Sequence, residues 1–134
     1  MSAVRTPARA GTVGEAMNPG VLTCAPATTL RDVARMMSMH RIHAVVVLGN
    51  DGGLRPWGVV SDLDLVGAIG TDADAGAIAA SPVVTVTEDV TVEHAATLLA
   101  ENETSHLLVV DDAGLPIGVL STLDVARAFA SAGR

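Results

Sequence analysis

Gly58-Val59-Val60-Ser61-Asp62-Leu63-Asp64-Leu65 recurs sixty residues later as Gly118-Val119-Leu120-Ser121-Thr122-Leu123-Asp124-Val125, with five of eight positions identical. Working outward, the similarity continues on the N-terminal side of both copies. His43-Ala44-Val45-Val46-Val47 matches His106-Leu107-Leu108-Val109-Val110, and Val21-Leu22-Thr23 matches Val83-Val84-Thr85. Between these runs, Leu30, Val33, Ala34 and Met37 have counterparts in Val92, Ala95, Ala96 and Leu99. That i, i+3, i+4, i+7 spacing puts one apolar face on a helix. An insertion of about three residues in the stretch Gly49 to Pro56 breaks the register between copies. A chain written twice is read as two copies of one supersecondary unit.

Each copy reads as a short strand, a helix of about three turns, a hairpin and a closing helix, in the order β-α-β-β-α. In copy one the pattern predicts Val21–Thr23, Thr29–His40, Ala44–Leu48, Trp57–Ser61 and Leu63–Ile69. In copy two it predicts Val83–Val86, Thr91–Asn102, Leu107–Val110, Ile117–Leu120 and Leu123–Ala130. Turn signals, Gly49-Asn50-Asp51-Gly52-Gly53 and Asp111-Asp112-Ala113-Gly114, join the hairpin strands. The division is a leader over 1–12, a first repeat over 13–70, a linker over 71–76 and a second repeat over 77–134. A unit of this size leaves one face of its three-stranded sheet apolar, so the two sheets are expected to pack together. The fold class is therefore α+β, a pseudo-two-fold pair with two related clefts where strand ends meet helix starts.

The chain has 134 residues, 49% hydrophobic, with eight arginines, no lysine and a formal net charge of −7. Residues 1–70 carry six arginines against five acids, and residues 71–134 carry two against ten. An acidic chain with only Trp57 and Phe129 as aromatics has neither the basic stripe nor the stacking platform of a nucleic-acid binder. Its apolar runs are far shorter than the ~20 residues of a membrane span, and no apolar segment marks the leader as a secretion signal. The lone Cys24 has no disulfide partner, and a cytoplasmic location is expected.

The Gly-to-Asp motif, the opening Val13-Gly14-Glu15-Ala16-Met17, the Val21-Leu22-Thr23 strand and Ser105-His106-Leu107-Leu108-Val109-Val110-Asp111 together resemble CBS domains, over about residues 13–130. The resemblance implies a tandem CBS unit, or Bateman module, that binds AMP, ADP, ATP, S-adenosylmethionine or a similar adenosine ligand between the repeats as a regulatory ligand, with no required cofactor. It further implies that Asp64 and Asp124 accept ribose hydroxyls and that Ser61 and Ser121 contact ribose or phosphate. Thr23, Cys24 and Ala25 are then set with Asp124, and Thr85, Val86 and Thr87 with Asp64. His43 and His106 flank the phosphate region. A homodimer, with the closing helices as its surface, and an unidentified protein partner also follow from the resemblance.

The same residues have plainer readings. Ser followed three residues later by an acid is a capping box, which needs no ligand. A histidine beginning a buried strand is often a packing residue, and His40 with His43 has no third ligand for a metal. Cys24 has no cationic neighbour in sequence to make it a nucleophile. The Arg or Lys that the resemblance implies beside the strand histidine of a polyphosphate site is replaced here by Ala44 and Leu107, and only Arg31, Arg35, Arg41, Arg55 and Arg127 could approach the clefts, which favours AMP, adenosine or S-adenosylmethionine over polyphosphates. No P-loop, dinucleotide fingerprint or catalytic triad is present, so an enzyme is not expected. The leading reading is a non-catalytic sensor of an adenosine ligand. The alternative is an interaction and dimerisation module with vestigial sites.

Overall fold

The computed structural model describes residues 10–49 and 55–132. In chain order the elements are α1 (Val13–Ala16), β1 (Asn18–Pro19), β2 (Thr23–Cys24), α2 (Leu30–His40), β3 (Ala44–Leu48), β4 (Pro56–Ser61) and α3 (Asp62–Ala68). They continue with α4 (Ala75–Ile78), β5 (Thr85–Val86), α5 (Val92–Glu101), β6 (His106–Val110), β7 (Pro116–Ser121) and α6 (Thr122–Ser131). The fold is α+β, with the β-α-β-β-α order occurring twice. Helices α2 and α5 begin where Thr29 and Thr91 accept the backbone N–H groups of Asp32 and His94, each at 3.1 Å. These caps satisfy donors that the first helical turn leaves without partners.

Each copy contributes one sheet core: β2-β3-β4 in copy one and β5-β6-β7 in copy two, with β1 added to the latter beside β7. The first strand pairs parallel to the second, and the hairpin strands pair antiparallel. Both first strands are shorter than expected from their apolar runs. Val21 and Val83 pack against the seam between the sheets, so their hydrophobicity reports burial there rather than a place in the ladder.

The seam is built from Val46, Val59 and Leu108, with Val21, Leu48, Val83, Val110 and Val119 around them. Leu108 and Val46 are completely buried, and each such side chain contributes about 1.5–3 kcal/mol through loss of water-exposed apolar surface. The outer faces are covered by helices. Val45, Val47 and Val60 pack with Val33, Met37 and Leu65 in copy one, and Leu107, Val109 and Leu120 with Ala95 and Leu99 in copy two.

Neither copy closes its own core. Val13 of α1 is buried in the core of copy two, where the N–H groups of Val13 and Gly14 donate to Val90 and Glu88 carbonyls at 2.8 and 3.0 Å. Reciprocally, Ala75 of α4 is buried in the core of copy one, and Ala75 and Gly76 donate to Thr28 and Pro26 at 2.9 and 2.8 Å. The segment after each of these helices pairs with the far hairpin: Asn18 lies opposite Val119, and Ala80 opposite Val59. This close approach explains the motif glycines, since a Cβ on Gly58 would lie 2.7 Å from the Ala80 carbonyl oxygen and one on Gly118 2.7 Å from that of Asn18. The residues read as a linker, 71–76, include the start of α4.

The structure corrects the alignment of the two copies. Thr23 pairs with Val46, and Thr85 with Leu108, so Val46 corresponds to Leu108 and Ala44 to His106. His43 corresponds to Ser105, because the carbonyls of these two residues accept the N–H groups of Asp62 and Thr122. The apparent His43–His106 match is thus one residue out of register, and a one-residue slip along a strand turns side chains to opposite faces. The copy-one hairpin loop, residues 49–55, is two residues longer than the copy-two loop, residues 111–115. Its turn residues 50–54 lie outside the described residues, as do residues 1–9 of the leader.

Candidate functional site

Both motif serines and acids form reciprocal capping boxes. Ser61 Oγ accepts from Asp64 N–H at 3.1 Å, and Asp64 Oδ2 accepts from Ser61 N–H at 2.9 Å. The corresponding distances in copy two are 3.1 and 2.8 Å. The capping reading is therefore correct for both copies, and any ligand must use acceptor capacity left over. An ionised carboxylate offers about four lone-pair sites, so one capping bond leaves the others available.

A cleft of about 420 Å³ lies where the copies meet, within the roughly 300–1,000 Å³ common for small-molecule sites. Its apolar wall comes from Pro19, Val21, Leu22, Ile42, Val119 and Leu123, and its polar groups from His40, Arg41, His43, His106, Ser121, Asp124 and Arg127. Of the residues singled out from sequence, Asp124, Ser121, His43 and His106 line this cleft. Thr23, Cys24 and Ala25 do not. Their place is taken by Asn18 to Leu22, the stretch just before β2. Asp64 and Ser61, the pseudo-equivalents of Asp124 and Ser121, are absent from this lining, as are Thr85, Val86 and Thr87. Thr87 donates a hydrogen bond to Asp89, which together with a backbone bond holds the Asp89 carboxyl below its ordinary range.

Asp124 is a buried charged side chain, 6% exposed. Besides its cap, it accepts from the Asn18 amide at 3.1 Å on Oδ2 and 3.3 Å on Oδ1, and Arg127 Nη1 stands 4.0 Å from Oδ1. Sequence reasoning missed Asn18 as a cleft residue, whereas Arg41 and Arg127 come from the five arginines expected to be able to approach; Arg31, Arg35 and Arg55 do not line this cleft. Asn18 arrives only through the exchanged α1–β1 segment. Arg41 follows α2 in a left-handed conformation, φ +52°, a geometry with no apolar periodicity to announce it.

The two sides of the pair differ in charge. The counterpart of Arg41 after α5 is Glu103, also left-handed at φ +50°. Counting from the motif serines, the counterpart of Arg127 is Gly67, and that of Asn18 on the exchanged segment is Ala80. Cations therefore concentrate on the Asp124 side. Burial pushes the Cys24 thiol up despite the Thr28 hydrogen bond, which disfavours the thiolate that reactivity needs. Among the described residues no cluster of His, Cys, Asp and Glu could hold a metal ion.

His43 Nδ1 lies 3.1 Å from Asp62 Oδ2 at an exposed position. His106 Nδ1 lies 3.0 Å from Ser105 Oγ. Burial pushes the His106 imidazole below its ordinary value of 6.5; Asp62, Asp124 and Asp64 oppose the shift, and His43 adds to it. Acids from both copies act on this ring, so it sits close to the meeting of the two motifs. Well above pH 6.5 it is neutral in folded and unfolded chains alike. Below that, the unfolded chain takes up the proton first, so stability falls until the lower folded-state value is passed. His106→Gln is expected to remove this part of the acid-side loss, seen as a smaller drop in urea midpoint between pH 7.5 and 5.5 than in the unsubstituted protein.

The family model described as CBS domain matches residues 13–71 and 75–131. An uncharacterized protein of Methanopyrus kandleri is 32% identical over 125 residues, covering 89% of this chain and 63% of that protein. The chain thus spans less than two thirds of that curated relative. A CBS domain protein from Pyrobaculum aerophilum, solved in complex with AMP, is 30% identical with a TM-score of 0.72, over 84% of this chain and 88% of that one. The structure of CBSX2 in complex with AMP is 26% identical with a TM-score of 0.72, over 92% of this chain and 99% of that one.

Proposed function

This chain belongs to the CBS domain family, and from that premise we propose that it is a non-catalytic sensor binding AMP, or a closely related adenosine monophosphate, in the Asp124 cleft. The observation that carries this reading is the grouping of Asp124, Arg41 and Arg127 around one apolar-walled cleft. Val21, Leu22 and Val119 provide surfaces for a purine, the Asp124 carboxylate can receive a vicinal diol, and the two guanidinium groups suit a phosphate. The cationic sulfonium of S-adenosylmethionine would lie among like charges and is disfavoured there. On the Asp64 side Glu103 repels a phosphate, so one AMP per chain is expected. AMP in the related structures of CBSX2 and the Pyrobaculum protein supports the same ligand class.

Occupancy has a route outward. Leu123 and Arg127 line the cleft on the same helix, α6, that leaves Phe129 76% exposed. Helix α3 likewise exposes Leu63 and Val66, with the exposed Ile69 directly after it. These apolar helix faces favour a homodimer whose geometry responds to ligand, driven by the ligand's differential affinity for two packings. Among the described residues no helix is long and apolar enough to cross a membrane, and a cytoplasmic location completes the reading.

Thermal unfolding with AMP, S-adenosylmethionine and GMP tests it. AMP at 100 times its dissociation constant should add about 2.7 kcal/mol of stability, with a calorimetric stoichiometry of one. A response to neither adenine ligand sinks the sensor reading and leaves the interaction module. A response to S-adenosylmethionine alone sinks the charge argument.

A further inference from the structure

We infer that Asn18 is an internal competitor for the ribose site, a specificity-determining residue that holds the Asp124 carboxylate until a diol displaces it. The inference deepens the proposed function and rests on it. Its basis is a count of acceptor sites. Ser121 N–H takes one site on Oδ2 at 2.8 Å, and the Asn18 amide takes one on each oxygen, at 3.1 and 3.3 Å. Of about four lone-pair sites on a carboxylate, one remains. A vicinal diol presents two O–H donors, so both cannot bond to Asp124 while the Asn18 amide stays.

The competitor is placed to leave. Asn18 is exposed whereas Asp124 is buried, and Asn18 belongs to the two-residue strand β1 at the edge of its sheet. Its departure would leave Asp124 short of donors, which a buried carboxylate tolerates poorly; an incoming diol restores them. In the unliganded protein the amide therefore satisfies the charge, and in the liganded protein the ribose does. The side chain also borders a second cavity of about 490 Å³, which it lines together with Asp124, Arg127, Glu15 and Ser131, so there is space between α1 and α6 to receive it. Pseudo-symmetry supplies a comparison within the molecule. Ala80 stands where Asn18 would be on the other side, and among the described residues Asp64 makes the hydrogen bonds of its cap with Ser61 and has no amide in the place of Asn18.

The test is calorimetric titration of the full chain and its Asn18→Ala and Asn18→Ser variants with AMP and with 2′,3′-dideoxy-AMP, which lacks the diol. Removing the competing amide should tighten AMP about tenfold in both variants, as expected for relief of a charge-assisted hydrogen bond, and leave the dideoxy ligand within about twofold. Unchanged or weakened AMP binding in the variants overturns the inference while leaving the AMP reading intact. Equal tightening of both ligands overturns it too, since that marks a steric plug rather than a competitor for hydroxyls. Absence of AMP binding in every form overturns the proposed function, and the inference with it.

Discussion

Asp124→Ala is expected to weaken AMP binding at least about 100-fold, because it removes the acceptor of two charge-assisted hydrogen bonds worth roughly 1.5–3 kcal/mol each. The same substitution should destabilise the unliganded protein by about 2 kcal/mol. It deprives Ser121 N–H of its 2.8 Å acceptor and breaks the capping box that starts α6. Asp64→Ala should carry a capping cost of about 1 kcal/mol and leave AMP affinity within about twofold, since Glu103 and Gly67 stand where Arg41 and Arg127 would be needed. Titration calorimetry separates the binding effects, and denaturant midpoints separate the stability effects. Equal losses of affinity in the two variants would remove the assignment of AMP to one side.

The largest purely structural effect is expected at the seam. Leu108 has no exposed surface and sits with Val46 and Val59 between the two sheets, held from both directions by strands that pair elsewhere. Truncation to alanine leaves a cavity that neither hairpin can collapse into without breaking its own register, so Leu108→Ala should cost about 3–4 kcal/mol. Leu115→Ala, in the 111–115 turn and 45% exposed, should stay within about 0.5 kcal/mol. A midpoint shift for Leu108→Ala no larger than for Leu115→Ala would mean that the seam contributes little, and the two copies would then be joined chiefly by their exchanged segments.

Those exchanged segments mark the limit of what could be read from the chain. The hairpin strands and long helices were legible nearly to the residue: Ala44–Leu48 was expected and found, and α2 and α5 lie within one residue of the expected spans at each end. Local physics sets these elements through apolar period, threonine caps and turn residues. The four-residue helices α1 and α4 and the two-residue β1 carry no such period. They exist because distant backbone receives them, at Val90 and Glu88, at Thr28 and Pro26, and opposite Val119. The histidines misled for a related reason. His43 and His106 head similar strings of valine and leucine, and within a run of like residues only the pairing of β2 with β3 and of β5 with β6 sets the register.

The candidate site divides in the same way. Asp124 and Ser121 were visible because the repeated motif singles them out, and their double role as cap and cleft residue follows from the acceptor capacity of a carboxylate. Asn18 was not visible, and nothing in the sequence separated Arg41 and Arg127 from Arg31, Arg35 and Arg55. Asn18 lies on the exchanged segment, Arg41 follows a helix in a left-handed turn, and Arg127 is a surface position of α6, and the fold alone gathers them.

The reciprocal docking of α1 and α4 has a consequence for how such a chain gains and loses its structure. Cut at residue 70, the first half keeps β2, β3 and β4 but forfeits Ala75 and Ile78 from its core, while the second half loses Val13 and the strand that flanks β7. The repeat counted along the sequence and the unit that packs in space are thus out of phase by one short helix. Each half is the lid of the other, so melting either exposes both, and the chain behaves as a single cooperative body although it is written as two.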